Sequence, residues 1–354
     1  MISDYTSKRN CTLCGGNSLI KLVNLGNTPI ANQLESSLES SRSQKKYPLD
    51  LVLCGDCEHI QIGTLINPKI LFANYPYLSN SNLSTAQRFD ALAKKYISGF
   101  ELDCNSFVLE IGSNDGILLD ELKSLGIRCV GLEPSRQLVN ECLERGLDVF
   151  CGFLNEDLVS DLNKNRGAFD VVVGNNVFAH IDDLLGAFKC VHQLLETNGV
   201  FIFEVADFSQ IRDKGIFDSI YHEHMSFHTV TGLQLLAEMS DFTIEKFSYV
   251  DSHGGSFRFF LKKGYGPSKS EEIRAQIERE ATLGLNSSVV LNHLQENIAR
   301  RRIAVSNFIQ GREERRILVG YGAPAKAVTF ISEMGLENAG IITILDDNLS
   351  KQGR

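Results

Sequence analysis

Val108-Leu109-Glu110-Ile111-Gly112-Ser113-Asn114-Asp115-Gly116 is the stretch on which the fold turns. An apolar run leads into a glycine turn, and a helical pattern follows. Glycine lets a ligand come close to the backbone at such a turn. Glu133, at the end of the next apolar run, can accept both hydroxyls of a ribose. A dinucleotide site asks for Gly-x-Gly-x-x-Gly packed tightly on a pyrophosphate. Here Asn114 stands in place of the second glycine and Glu110 precedes the turn, a pattern that favours S-adenosylmethionine (SAM) over NAD. Glu110, Gly112, Asn114, Gly116 and Glu133 are therefore the expected cofactor contacts.

Outward from this stretch, short apolar runs at 107–112, 129–133, 169–174 and 200–204 alternate with amphipathic runs at 117–125, 137–145 and 181–195. Such alternation predicts an α/β fold with a doubly wound parallel sheet. The runs 242–250 and 256–262 have no helix between them and predict an antiparallel hairpin closing the sheet. Asn175 and His180 follow the run 169–174, at the end of a parallel strand where ligands bind. The alternative for Asn175-Asn176 is a helix cap.

On the N-terminal side stand two Cys-x-x-Cys pairs, Cys11/Cys14 and Cys54/Cys57. Together they supply four soft ligands for a tetrahedral zinc, which leaves no open position for catalysis. The intervening stretch, 15–53, is longer than the roughly 15–20 residues usual between such knuckles, so an insertion is expected there. His59 is read as a surface residue rather than a ligand.

On the C-terminal side, Tyr221-His222-Glu223-His224 places a phenol, two imidazoles and a carboxylate in one short segment. Imidazole is the side chain best matched to proton transfer near neutral pH, and a phenol can donate to an oxyanion. The alternatives are a polar loop with satisfied histidines, or a second metal site using His222 and His224. His253-Gly254-Gly255 is the expected hairpin turn, with His253 a candidate substrate contact. After a linker at 264–270, residues 271–310 read as helical. A strand at 316–321 then meets Gly320-Tyr321-Gly322-Ala323-Pro324-Ala325-Lys326, a glycine turn before a helix start suited to phosphate. A further strand is expected at 341–345, giving a partial Rossmann-like unit truncated at residue 354.

The chain has 354 residues, 43% of them hydrophobic, and a net charge of −9. That sign argues against a broad nucleic-acid surface. There is no unbroken apolar run of the roughly 18 residues a membrane span needs, so no membrane insertion is expected. The first residues lack a signal-peptide pattern, which makes the cytoplasm the expected compartment. Of nine cysteines, the five outside the pairs read as core residues.

These pieces in this order resemble the nucleotide-sugar C-methyltransferases that make branched-chain deoxysugars. The likeness spans nearly the whole chain. It rests on the cysteine pairs, Glu110 to Gly116, Gly131-Leu132-Glu133-Pro134-Ser135, Tyr221 to His224, His253-Gly254-Gly255-Ser256, and Gly320 to Lys326. The resemblance implies a class I methyltransferase-like domain over 71–264. It implies a zinc module over 1–70 and a helical linker with a truncated Rossmann-like nucleotide-sugar-binding domain over 265–354. It also implies that His224 is a base, with Glu223 and Tyr221 beside it, and Glu223 is expected to orient the imidazole. It further implies that His180 and Tyr75 or Tyr77 line the sugar site, and Tyr321 and Lys326 are the expected contacts of the nucleotide. SAM, a structural zinc and a nucleotide-diphosphate keto-deoxysugar are the expected companions. Two rival readings are an O- or N-methyltransferase of a nucleotide sugar and a non-catalytic nucleotide-sugar-binding protein. A NAD-dependent oxidoreductase is a weaker third.

Overall fold

The alternating runs build a central sheet in the computed structural model, which describes residues 4–71, 83–252, 254–285, 287, 289–311 and 317–353. Its strands are β1 (Phe107–Ile111), β2 (Arg128–Glu133), β3 (Val149–Cys151), β4 (Phe169–Asn175), β5 (Leu195–Ala206), β6 (Phe242–Val250) and β7 (Ser256–Lys263). Their order is β6-β7-β5-β4-β1-β2-β3. β1 to β5 run parallel, and β7 is antiparallel to both β5 and β6. Every residue of β1 is buried, as befits a strand covered on both faces. This is the class I methyltransferase architecture, a doubly wound sheet closed by the expected hairpin.

The chain winds outward from β1 to β3, then returns to place β4 on the other side of β1. That reversal makes the carboxyl ends of β1 and β4 the place where an open sheet of this kind takes a ligand. Periodicity is silent on β3 because three residues are too few to show alternation. The hairpin is pinned by aromatic packing. Phe178, Phe188, Phe201, Phe203, Phe242 and Phe259 are fully buried. Their rings meet at spacings such as 5.1 Å for Phe188–Phe201 and 5.3 Å for Phe203–Phe259. Burying each such side chain contributes about 1.5–3 kcal/mol.

This sheet belongs to the second of two compact units, made of residues 77–206 and 230–277. The first unit gathers residues 1–76, 207–229 and 278–354. Within it, Leu19–Thr28 and Tyr47–Cys54 form an antiparallel hairpin that Ile60–Ile62 and Ser226–Phe227 extend to four strands. Leu19 pairs with Cys54, so the hairpin is the insertion between the cysteine pairs and returns the second pair to the first. At the far end of the chain, Leu318–Tyr321 and Ile341–Leu345 pair in parallel on either side of the helix Ala327–Glu333.

Three expectations change. Cys104 and Cys151, read as core residues, are exposed, while Cys142 and Cys190 are buried. Residues 271–310 are two helices, Glu271–Thr282 and Val289–Gln310, because Gly284 between them has φ +65, outside the helical region. His59 is not on the surface: it is 3% exposed, with Nε2 3.2 Å from Ser226 Oγ, and burial lowers its pKa to about 3.

At the end of β5, Glu204 is fully buried and pairs with Arg258 of β7 at 2.5 Å. Glu204 also accepts from Ser252 Oγ at 2.7 Å and from Asn176 Nδ2 at 3.3 Å. The pair thus ties the hairpin to the loop after β4. Arg258→Met should destabilise the protein by about 3–5 kcal/mol, because a buried carboxylate loses its counter-ion. Adding Glu204→Gln should recover much of that loss, as read by urea denaturation.

Candidate active site

The carboxyl end of β1 carries the expected cradle. Gly112 has φ +68, and a Cβ there would sit 2.8 Å from Val177. Asn114 adopts φ 52, a conformation asparagine tolerates better than most residues, so it can replace a glycine in the turn. Gly116, at φ +73, leads directly into the helix Ile117–Ser124. At the end of β2, Glu133 Oε2 accepts the Asn114 N–H at 3.0 Å and Oε1 accepts the Ser135 N–H at 2.8 Å. The carboxylate is thereby fixed in plane, with further lone pairs left for ribose hydroxyls.

Glu110, Asp115 and Glu133 are all buried. Burial first, and then the charges of Asp115 and Glu133, push the Glu110 pKa well above its usual range. Burial likewise raises Glu133, against the two N–H groups that favour its ionised form. Glu110 Oε2 has no hydrogen-bond partner. A crowded acidic cluster with an unpaired oxygen suits a cationic ligand, and SAM carries both a sulfonium and an ammonium. The residues therefore fit SAM. Asn175 closes β4 and its Oδ1 accepts from Tyr96 Oη at 3.3 Å. The capping alternative for Asn175-Asn176 fails, since Asp183 caps the helix Leu184–Leu194. His180 ends the short helical turn Phe178–His180 and is half-buried. A groove of about 1010 Å³, lined in part by Phe107, Arg128 and Asp170, lies at the opposite, amino ends of β1, β2 and β4.

In the first unit, the sulfurs of Cys11, Cys14, Cys54 and Cys57 lie within 4.8 Å of one another. Cys11–Cys57 and Cys14–Cys54 are separated by 3.5 and 3.6 Å. Tetrahedral Zn–S bonds of about 2.3 Å require sulfur separations of about 3.8 Å, so the four fit a zinc ion. The Leu13 and Gly16 N–H groups each point at a cysteine sulfur at 3.4 Å, as suits a thiolate. The hydrogen bond to Cys57 holds the Cys11 thiol well below its ordinary range.

The same unit carries the segment 221–224. His224 Nδ1 lies 2.8 Å from the Ser219 carbonyl, which can only accept, so Nδ1 holds a proton. In the neutral ring the lone pair is then on Nε2, 2.8 Å from Tyr221 Oη. The ring is oriented by a backbone carbonyl, which corrects the expectation that Glu223 does it. Glu223 is instead fully buried and accepts from Asn32 Nδ2 at 3.1 Å. Burial raises its pKa to about 7. His222 Nε2 donates to the Pro48 carbonyl, and burial lowers its pKa to about 4. His222 is a neutral core residue, and the four-cysteine set is the metal-ligand group found among the described residues. The helix Ala327–Glu333 braces the segment: Thr329 Oγ1 donates to the Ile220 carbonyl at 2.9 Å, and Phe330 stacks on Phe217.

Tyr321 is largely exposed and donates to Asp347 at 2.8 Å. Lys326 faces Asp218 at 3.8 Å, and the Ala323 N–H of the glycine turn is taken by Asp346. Tyr75, Tyr77 and His253 lie outside the described residues. Sequence reasoning missed Asn32 and Ser219, because a partner that acts through a single hydrogen bond leaves no motif.

Three family models match in series: a zinc binding domain at residues 11–72, a methyltransferase domain at 85–246 and a C-methyltransferase C-terminal domain at 251–354. The chain is similar to the C-methyltransferase NovU of Streptomyces niveus, at 26% identity over 97% of this chain and 82% of that protein. Among solved structures, the PH0226 protein of Pyrococcus horikoshii is 18% identical, with a TM-score of 0.43 over 55% of this chain and 99% of that one. A SAM-dependent methyltransferase of Clostridium acetobutylicum is 16% identical, with a TM-score of 0.41 over 56% of this chain and 96% of that one.

Three outcomes follow from this geometry. Glu133→Ala should weaken SAM binding about tenfold to a hundredfold by calorimetry, the worth of two hydrogen bonds to a charged group at ~1.5–3 kcal/mol less compensation by water. In the native protein SAM affinity should rise with pH as the raised carboxyl groups ionise, since only the charged form attracts the cation. For the metal, elemental analysis should find one zinc per chain, lost in Cys54→Ser together with the folding of the N-terminal module.

Proposed function

Proceeding from a SAM-dependent C-methyltransferase by family, with a class I fold and an N-terminal four-cysteine module, we propose that this chain methylates carbon next to the ketone of a nucleotide-linked keto-deoxysugar. The observation that carries the reading is the state of His224. Its Nδ1–H is committed to Ser219 O, which leaves Nε2 as the basic nitrogen, paired with a phenol.

Carbon is a poor nucleophile until a neighbouring ketone acidifies its C–H. A base must take that proton while a donor steadies the oxygen of the enolate. In this reading His224 Nε2 takes the proton and the Ser219 carbonyl stabilises the imidazolium that results. Tyr221 or His180 donates to the enolate oxygen. Glu223, with a pKa near 7, is a second group able to hold or release a proton near neutrality. Bound SAM supplies the electrophilic methyl group. Glu110, Gly112, Asn114, Gly116, Glu133 and Asn175 would hold it, and Glu133 would fix the ribose. Tyr321, Lys326, Tyr75, Tyr77 and His253 are proposed as contacts for the nucleotide sugar.

The second reading is transfer to oxygen or nitrogen of a similar sugar. The C-methyltransferase description of the C-terminal domain match favours carbon. Incubation with methyl-labelled SAM and a panel of nucleotide-linked keto-deoxysugars, followed by NMR of the product, decides between them. A methyl bonded to carbon is expected, and one on oxygen or nitrogen contradicts the proposal. His224→Ala should lower turnover by about 10²–10⁴-fold, the usual worth of a general base, with SAM affinity near that of the native protein.

A further inference from the structure

Glu223 is 0% exposed, and its two oxygens differ. Oε1 accepts from Asn32 Nδ2 at 3.1 Å, across 191 residues of sequence, while Oε2 has no hydrogen-bond partner. A buried carboxyl oxygen without a partner is costly, and such groups persist mainly where function uses them. Asn32 follows Ile30 and Ala31, each 3% exposed, so the loop that carries it is anchored by its own apolar side chains. The Asn32 amide can therefore fix the carboxyl plane.

From this we propose that Asn32 is a positioning residue, which holds the Glu223 carboxyl group in one orientation by a hydrogen bond to one of its two oxygens. Its role in turnover rests on the proposed function. Its control of Glu223 does not.

The surroundings leave that control to Asn32 and to the backbone N–H of Glu223 itself. His222 is neutral and committed to Pro48. His224 is engaged by Ser219 and Tyr221. Glu35, on the loop beyond Asn32, accepts from Gln44 at 3.2 Å, and Lys326 of the C-terminal segment faces Asp218. Tyr47, on the strand beside this segment, packs its ring against His222. After burial, which raises the Glu223 pKa, the opposing influences are its own N–H and the side chain and backbone N–H of Asn32. Those donors favour the ionised carboxylate. Removing the Asn32 side chain must then move the Glu223 pKa upward.

The test titrates the full chain, labelled with ¹³C at glutamate carboxyl groups, by NMR. The Glu223 resonance is assigned by its loss in Glu223→Gln. In Asn32→Ala it should titrate at higher pH than in the native protein. In the near-isosteric Asn32→Asp it should titrate higher still, because two carboxyl groups then share the site. An unmoved resonance in a folded variant overturns the proposal whether or not the protein turns over. The kinetic arm uses methyl transfer to the keto-deoxysugar. Asn32→Ala should lower kcat/KM about tenfold to a hundredfold, the typical effect of one lost hydrogen bond to a charged group. It should also shift one limb of the pH profile upward, with SAM affinity unchanged. In a Glu223→Gln background the same substitution should add less than about twofold, and an equal further loss there would show that Asn32 does not act through Glu223. A shifted resonance with no methyl transfer by the native protein would instead sink the proposed substrate and leave the Asn32–Glu223 link standing.

Discussion

A backbone carbonyl sets the chemistry available to the first unit. Ser219 O can only accept, so it fixes a proton on His224 Nδ1 and leaves the lone pair on Nε2. Everything that holds Ser219 therefore acts on the histidine. Phe217 stacks on Phe330, Ile220 is tied to Thr329, and His222 is tied to Pro48. Three stretches far apart in sequence, near 32–48, 217–228 and 327–333, converge to keep one imidazole in one tautomer.

The second unit solves a different electrostatic problem. Glu110, Asp115 and Glu133 are buried together at the carboxyl ends of β1 and β2, close enough for their charges to act on one another. Without a counter-charge they resist ionisation, and the sulfonium and ammonium of bound SAM would supply that charge. The glycine at 112 and the positive φ of Asn114 would let such a ligand approach the backbone where those charges lie. The class I sheet, the methyltransferase domain match and the acidic cradle all point to the same cofactor.

The sheet was legible because its strands alternate with amphipathic helices, and that period needs no tertiary information. The closing hairpin was legible too, since no helical run separates residues 250 and 256. The cysteine set could be read because zinc fixes the ligand type and the local spacing. What sequence could not show were single hydrogen bonds between distant residues. Asn32 with Glu223 and Ser219 with His224 leave no periodic trace. Adjacency in sequence suggested that Glu223 orients His224, but the backbone turn sends the two side chains to different partners. His59 misled in the same way, because its hydrogen-bond partner Ser226 lies 167 residues away in sequence.

Proton abstraction by His224 before any methyl moves is the central step of the proposed reaction. The most direct measurement is washout of the hydrogen next to the ketone, followed by NMR in deuterated water with the nucleotide-linked keto-deoxysugar and S-adenosylhomocysteine in place of the methyl donor. The native chain should exchange that hydrogen for deuterium at a rate that His224→Ala reduces to the solvent background. Exchange at an equal rate in both proteins, or none in a native chain that still forms the methylated product, would contradict it.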